Sequence, residues 1–174
     1  MAQTQRSAKS RKNNARGHLF EGYIEGACAY YKRTGKAVIT KVPEPFRVTS
    51  TKRNGEFTGR FIANAQPDFV GTIYGGKTIC FEAKYTTTDK MQQSVVTETQ
   101  AEALELYGRM GAVVGVCIGI KDTFAFIPWE IWRDMKEIYG RKYLTELDIQ
   151  PYKVRFLNGH CLFLDRFYIG QERE

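Results

Sequence analysis

The apolar run Val113–Ile120 constrains the fold more than any other feature of the sequence. A run this apolar, without alternation of polar and apolar residues, is typical of a strand buried on both faces. Such a strand lies inside a sheet and needs further layers of structure on each side. At 174 residues the chain is long enough to bury a core of this kind in one domain. We therefore expect an α/β domain.

The segments before this strand alternate between helical and extended patterns. Apolar residues recur at three- and four-residue spacing over Gly17–Arg33, which predicts an amphipathic helix. A strand is expected over residues 37–42. Two β-rich segments, 68–74 and 78–85, are joined by a link with two glycines and predict an antiparallel hairpin. The expected fold is a mixed central β-sheet flanked by helices.

The second half of the chain adds helices and a further hairpin. Thr97 can cap a helix with Gln100 at the reciprocal position of a capping box. Pro128 is expected at the first position of a helix over residues 128–139. The aromatic residues of this helix favour core or dimer packing over base stacking. A C-terminal hairpin is expected over residues 152–168, around an Asn-Gly turn.

Positive charge is concentrated in the first third of the chain, although the net charge is only +7. Residues 1–16 contain five basic and no acidic side chains, and residues 17–66 contain eight basic and four acidic ones. Residues 67–174 contain thirteen basic and fifteen acidic side chains. This asymmetry suits an edge that binds a polyanion, and a solvated basic tail without a partner is the alternative. Because residues 1–16 lack hydrophobic periodicity, we expect a disordered basic arm there.

A second basic segment covers residues 44–66. Pro43 and Pro45 interrupt the preceding strand, and Asn54-Gly55 is a strong hairpin turn signal. We expect a protruding basic hairpin or loop. The predicted DNA contacts of the arm and of this segment are Arg6, Lys9, Arg11, Lys12, Arg16, Arg47, Lys52, Arg53 and Arg60.

The remaining composition excludes several classes of protein. The four cysteines are scattered without a CxxC pair, and there are only two histidines, so a zinc site is poorly supported. Buried reduced thiols are the better interpretation. No apolar run approaches the roughly 18 residues of a membrane span, and the N-terminus has no secretory signal pattern. We expect a cytoplasmic protein with no membrane segment and no small-molecule cofactor.

The candidate chemistry centres on Asp68, Glu82 and Lys84. Glu82 and Lys84 lie two apart on a predicted strand and project from the same face, and the hairpin can bring Asp68 alongside Glu82. Two carboxylates and a strand carbonyl suit Mg²⁺, with Mn²⁺ as a substitute. The nearby ammonium of Lys84 adds a positive charge that can orient the nucleophile in phosphodiester hydrolysis. A solvated outer face would give the same spacing, but these charges interrupt an apolar strand, where unpaired charge is costly.

The order of these residues resembles the PD-(D/E)xK nuclease signature, because Pro67-Asp68 is followed by Glu82-Ala83-Lys84. From about residue 16 to residue 130 the chain resembles the RecU-type Holliday-junction resolvases. The motifs that carry the resemblance are Arg16-Gly17-x-x-Phe20-Glu21-x-x-Ile24, Tyr30-Tyr31, Gly35-x-Ala37-x-Ile39-x-Lys41-x-Pro43-x-Pro45 and Phe81-Glu82-Ala83-Lys84.

The resemblance implies a restriction-endonuclease-like core in a homodimeric, Mg²⁺-dependent enzyme that nicks four-way DNA junctions. Glu21 matches an acidic residue that reaches the metal directly or through water, and an exposed helix acid is the alternative. Gln100 matches a glutamine near the site, and the capping box is the alternative. The implied catalytic residues are Asp68, Glu82, Lys84, Glu21 and Gln100. The implied metal ligands are Asp68, Glu82, Ala83 and Glu21.

The sequence thus predicts a nuclease domain over residues 17–170 and a short tail at 171–174. Its expected function is the resolution of Holliday junctions in DNA recombination and repair, in a bacterial cell or encoded by a phage. Two alternatives stay open. One is a restriction- or repair-type endonuclease that uses the same site on duplex DNA. The other is a non-catalytic DNA-binding module.

Overall fold

The computed structural model describes residues 2–43, 46–61 and 66–165. The helices are α1 (Ala2–Arg33), α2 (Glu98–Arg109), α3 (Trp129–Arg133) and α4 (Met135–Tyr139). The strands are β1 (Ala37–Lys41), β2 (Phe46–Thr51), β3 (Phe57–Phe61), β4 (Phe69–Ile73), β5 (Thr78–Thr86), β6 (Lys90–Gln92), β7 (Val113–Ile120), β8 (Thr123–Pro128), β9 (Tyr143–Thr145), β10 (Arg155–Leu157) and β11 (His160–Leu162).

A five-stranded sheet in the order β1-β4-β5-β7-β8 forms the centre of the molecule. Strands β5 and β7 are parallel, and the other neighbouring pairs are antiparallel. The parallel pair requires a crossover, which α2 provides between the two strands. The predicted α/β fold, with a mixed central sheet flanked by helices, is confirmed.

Two apolar cores cover the two faces of this sheet. On one face α1 and the β10–β11 hairpin pack against it through Phe20, Ile24, Tyr31, Phe81, Phe126 and Phe163. On the other face α2, α3 and α4 pack against it through Leu104, Val116, Ile118, Trp132 and Met135. Val116 and Cys117 are neighbours on β7 and belong to different cores. The prediction that Val113–Ile120 is buried on both faces is therefore confirmed.

Helix α1 begins earlier than the sequence predicted. We expected a disordered arm over residues 1–16, but the backbone is helical from Ala2 onward and continues into the packed part of the helix. Residues 2–16 consist largely of good helix formers and contain neither proline nor glycine. They have no apolar face, so hydrophobic periodicity could not reveal them. The prediction is corrected to a basic helical extension of α1.

The predicted helix over residues 128–139 is divided into α3 and α4. Pro128 is the last residue of β8 and the N-cap of α3, so it does not occupy the first helical position. The side chain of Gln93 donates hydrogen bonds to the carbonyl oxygens of Trp132 (2.7 Å) and Arg133 (3.0 Å). These bonds satisfy the carbonyls at the end of α3 and favour its termination there. Trp132 is buried, which confirms a packing role.

Both predicted hairpins with an Asn-Gly turn are present. Strands β2 and β3 pair across the turn at Asn54-Gly55, and β10 and β11 pair across Asn158-Gly159. Every residue of β2 is exposed, as expected of a hairpin that protrudes from the body. Residues 44–45 and 62–65 at the base of the first hairpin, and residues 166–174 with the predicted domain end and tail, lie outside the described residues.

Two other expectations concern the four cysteines and membrane-spanning helices. The four cysteines are free thiols and all are buried, as predicted. Within the described part of the chain, no helix is both long enough and apolar enough to cross a membrane.

Gly71 in β4 offers a test of the packing between β4 and β1. A Cβ atom at this position would lie against the carbonyl oxygen of Val38 and 2.5 Å from the Cα of Ile39, both on β1. We expect Gly71→Ala to lower the free energy of unfolding by about 1–3 kcal/mol, because backbone atoms would have to move. Gly22→Ala is the matched control, since within the described ranges no atom lies within 4 Å of its Cβ position in α1. It should stabilise the protein by about 0.5–1 kcal/mol in the same urea titration.

Candidate active site

Asp68 precedes β4 and is held against β5 by its side chain. Its carbonyl oxygen accepts a hydrogen bond from the backbone N–H of Val42 (2.8 Å), and its Oδ2 accepts one from the backbone N–H of Ala83 (3.0 Å). The pairing of β4 with β5 reaches only as far as Phe69 and Phe81. The Asp68 carboxylate therefore accepts the hydrogen bond from Ala83 N–H that a longer β4 strand would otherwise accept. Since the N–H and C=O of one strand residue point to the same side, the Ala83 carbonyl faces this edge too.

Glu82 is fully buried and faces the α2 side of the sheet. Its Oε2 accepts hydrogen bonds from Lys84 Nζ (2.8 Å) and from Gln100 Nε2 (2.5 Å). Lys84 Nζ also lies 3.4 Å from Asp68 Oδ2, so the ammonium bridges the two carboxylates. The other oxygen, Glu82 Oε1, is buried and has no hydrogen-bond partner among the residues that the structure describes. The three residues predicted as the catalytic centre are thus in mutual contact.

The surroundings shift the protonation of this group. Burial raises the pKa of the Glu82 carboxyl to about 7; the Lys84 ammonium opposes the rise and the Asp68 carboxylate adds to it. Burial alone would lower the pKa of Lys84, but the two carboxylates outweigh it and raise the pKa above its ordinary value. Lys84 therefore keeps its proton at neutral pH. A buried carboxyl with a strongly raised pKa, placed beside a second carboxylate and an ammonium, is typical of a functional site.

Gln100 lies both in the capping box and beside Glu82, the two places that the sequence left open. Its Oε1 accepts a hydrogen bond from the backbone N–H of Thr97 (3.1 Å). The backbone N–H of Gln100 donates to Thr97 Oγ1 (3.3 Å), which completes the capping box. Its Nε2 donates to Glu82 Oε2 at the same time. The side-chain amide of Gln100 thus connects the first turn of α2 with the buried carboxylate of Glu82 by hydrogen bonds. Because Gln100 acts through Glu82, we regard it as a positioning residue.

The two roles of Gln100 can be separated by comparing Gln100→Ala with Thr97→Ala. Each substitution removes half of the capping box and should cost about 1 kcal/mol of stability in urea unfolding. Only Gln100→Ala also removes the contact with Glu82, so we expect only this variant to lose the nuclease activity that the sequence predicts, by about 10- to 100-fold. Equal cleavage by the two variants would show that Gln100 serves the helix alone.

Glu21 lies apart from the other predicted ligands. Its Oε2 is 2.6 Å from Lys41 Nζ, and Lys41 also lies 3.6 Å from Glu25 on the same helix. Helix α1 covers one face of the sheet, whereas Glu82 faces α2 on the other. Lys41 is nevertheless close to Asp68, because it pairs with the first residue of β4. Glu21 therefore lies near Asp68 but is not in contact with the carboxylates of Asp68 and Glu82.

The residues at this edge fit a small divalent cation. In the parts of the chain that are described, no three His, Cys, Asp or Glu side chains form a metal cluster. Mg²⁺, however, is commonly bound through one or two carboxylates together with waters and substrate phosphates. Asp68, Glu82 and the Ala83 carbonyl are such a set of hard oxygen donors. The unpartnered Glu82 Oε1 is the observation that favours a ligand here, since a buried orphaned oxygen is costly.

The predicted DNA contacts lie on two elements. Four are exposed on the β2–β3 hairpin: Arg47, Lys52, Arg53 and Arg60. Lys52 lies 3.0 Å from Glu56, and Arg47 is the register partner of Arg60. Arg16 is exposed on α1, and the side chains of Arg6, Lys9, Arg11 and Lys12 lie outside the described ones. Like charges directly opposite each other destabilise a hairpin unless an anion binds them.

Sequence reasoning missed an aromatic pocket of about 330 Å³ between α1, the end of β5, the β7–β8 turn and the β10–β11 hairpin. It is lined chiefly by Arg16, Tyr23, Tyr85, Lys121, Phe124 and Phe156. We call it the aromatic pocket. Only the aromatic side chain at position 85, directly after the Glu82-Ala83-Lys84 motif, could have hinted at it. The other walls come from segments far apart in the sequence.

Comparison with known proteins identifies the family. No curated protein matches this sequence. Among solved structures, the Holliday junction resolvase Hjc of Archaeoglobus fulgidus is similar with a TM-score of 0.42 and 16% identity, over 67% of this chain and 75% of that chain. That likeness is too weak to support an argument. The family model for Recombination protein U (RecU) matches residues 15–164, which include Asp68, Glu82, Lys84 and the aromatic pocket. The chain therefore belongs to the RecU family of Holliday-junction resolvases.

Proposed function

We propose that this chain resolves four-way DNA junctions by Mg²⁺-dependent phosphodiester hydrolysis at Asp68, Glu82 and Lys84. The observation that carries the proposal is the buried Glu82, which has an unpartnered oxygen and lies beside a second carboxylate and an ammonium. Membership of the RecU family supports the junction as substrate. Hydrolysis would add water across the phosphodiester and leave a 5′-phosphate and a 3′-hydroxyl.

Each residue would have a separate task in this reaction. Asp68, Glu82 and the Ala83 carbonyl would hold the cation, with Glu21 contributing through water. The chemistry that a bound Mg²⁺ supplies is charge neutralisation on the phosphate and a lowered pKa of a bound water. Lys84, which keeps its proton, would orient the nucleophile and stabilise charge that develops on the phosphate. Gln100 would hold the Glu82 carboxylate in position.

The β2–β3 hairpin would contribute binding energy and selectivity for the junction. Its basic residues can contact phosphates, and the juxtaposition of Arg47 with Arg60 is relieved when an anion lies between them. The basic start of α1 would add a second contact. We further propose a homodimer, because two sites related by a twofold axis could cut opposing strands of a symmetric junction.

A competition assay tests the substrate. Wild-type protein with Mg²⁺ is given equal amounts of a synthetic four-way junction and a linear duplex of the same arm sequence. We expect the junction to be nicked preferentially, and Asp68→Asn to nick neither. Equal rates on both substrates would favour a restriction- or repair-type endonuclease instead. Binding of the junction without cleavage by the wild type would favour a non-catalytic module.

A further inference from the structure

We infer that the aromatic pocket holds one unstacked DNA base next to the phosphate that is cut. The inference rests on the proposed nuclease function, because it assigns a further contact to the same substrate. The volume of about 330 Å³ is at the small end of the range found for ligand pockets, which suits one nucleotide unit. Its occupant is identified by the chemistry of the lining, which combines aromatic rings with two basic side chains and one acidic side chain, Asp122.

The rings of the pocket form one continuous cluster. Phe20 and Phe124 are buried and stack at 5.4 Å between ring centroids, so they form a fixed floor. Phe156, which is 43% exposed, lies 4.9 Å from Tyr23 and 5.1 Å from Phe124. Tyr85 lies 5.9 Å from Phe20. Aromatic walls of this kind stack on any base, because every base has a π-face.

The position of the pocket links it to the active site. Tyr85 directly follows Lys84 on β5, so their Cα atoms are about 3.8 Å apart. Successive side chains of a strand point to opposite faces, and Tyr85 accordingly lies on the α1 side while Lys84 lies with Glu82. A DNA strand that passes over the end of β5 can therefore place a phosphate on one side and the adjoining base on the other. Extrusion of a base costs least where it is already poorly stacked, as at a strand exchange.

The charges at the pocket support a nucleotide as the occupant. Arg16 is exposed on α1 and lines the pocket. Lys121 and its neighbour Asp122 also line it, and Lys121 forms ion pairs with Asp89 and with Glu146 (3.8 Å). We therefore assign the phosphate contact to Arg16. This gives Arg16 a specific role within the basic surface that the sequence predicted only as a whole.

The test combines removal of a base with removal of a ring. Four-way junctions are made with a single abasic site at each position near the crossover in turn, and their affinities are measured by fluorescence anisotropy in EDTA. At one position we expect loss of the base to weaken binding by about tenfold for the wild type. The same abasic site should have little further effect on Phe156→Ala, whereas Phe156→Tyr should retain the full effect.

Leu157→Ala is the matched control, because Leu157 is the exposed neighbour of Phe156 on the same short strand and does not line the pocket. It should bind like the wild type at every position. The inference is overturned if Phe156→Ala weakens binding equally on all junctions, or if it weakens binding on none. If the abasic-site effect depends on Phe156 as expected but the wild type cleaves no junction when Mg²⁺ is present, the base pocket is retained and the nuclease proposal is rejected.

Discussion

Glu82→Gln should lower the rate of junction cleavage by at least about 10³-fold while the protein stays folded. A metal ion contributes several kcal/mol of charge stabilisation in phosphoryl transfer, and each 1.4 kcal/mol or so corresponds to a factor of ten in rate. Glutamine has the size of glutamate and can still accept hydrogen bonds from Lys84 and Gln100. It lacks the charge that a divalent cation requires. The loss should therefore be confined to the chemical step.

The measurement is single-turnover cleavage of a synthetic junction across a series of Mg²⁺ concentrations, with junction affinity determined separately. Glu102→Gln is the matched control, since it makes the same chemical change at an exposed position of α2. We expect the control to cut like the wild type and both variants to bind the junction normally. Cleavage by Glu82→Gln at the wild-type rate would remove Glu82 from the proposed mechanism.

The sequence was sufficient to predict the contact between Asp68, Glu82 and Lys84 because all three lie on one hairpin. Strand alternation places Glu82 and Lys84 on one face, and a short hairpin limits where Asp68 can lie. The capping box of Gln100 was also predictable, since its partners are local. Its simultaneous contact with Glu82 was only suggested by the family resemblance, because it depends on how α2 packs against the sheet.

Features that depend on distant segments were missed or misjudged. The sequence left open whether Glu21 reaches the metal directly or through water, and only the packing of α1 on the other face of the sheet, with Lys41 bound to Glu21, makes contact through water the interpretation that remains. The aromatic pocket is assembled from α1, β5, β8 and β10, and no local pattern joins them. The helical start of α1 was missed for a different reason. Its residues favour a helix by propensity, whereas the prediction relied on apolar periodicity.

Lys84→Met should destabilise the metal-free protein by about 3–5 kcal/mol at pH 8, which is the typical effect of breaking a buried ion pair. The Lys84 side chain is 20% exposed and its partner Glu82 is fully buried. Without the ammonium, Glu82 must either stay a buried charge beside Asp68 or take up a proton, and both cost free energy at pH 8. The double variant Glu82→Gln/Lys84→Met should regain most of the stability, because neither charge then remains. Lys121→Met removes a cation from surface ion pairs and should cost less than about 1 kcal/mol.

The direction of the pH dependence follows from the raised pKa of Glu82. A carboxyl whose pKa is raised by folding stabilises the folded state fully below its ordinary pKa of 4.5, and this contribution is lost as the pH rises through the folded value of about 7. The Lys84 ammonium lowers the pKa of Glu82, so its loss raises that pKa further. The loss of stability in Lys84→Met, relative to the wild type, should therefore be small near pH 5 and large at pH 8. Urea unfolding in EDTA at both values measures it. An equal deficit at the two pH values would point to lost packing rather than to charge.

Addition of Mg²⁺ at pH 8 then tests why the protein retains a carboxylate that is unfavourable to bury. A cation that binds only the folded state stabilises it by mass action, and the gain increases with the ion concentration. Wild-type protein should therefore become more stable as Mg²⁺ is added, whereas the double variant, which lacks the Glu82 charge, should respond little. A similar response from both proteins would mean that the cation binds elsewhere. With the expected result, the charge of Glu82 costs stability in the metal-free protein and recovers it when the ion is bound.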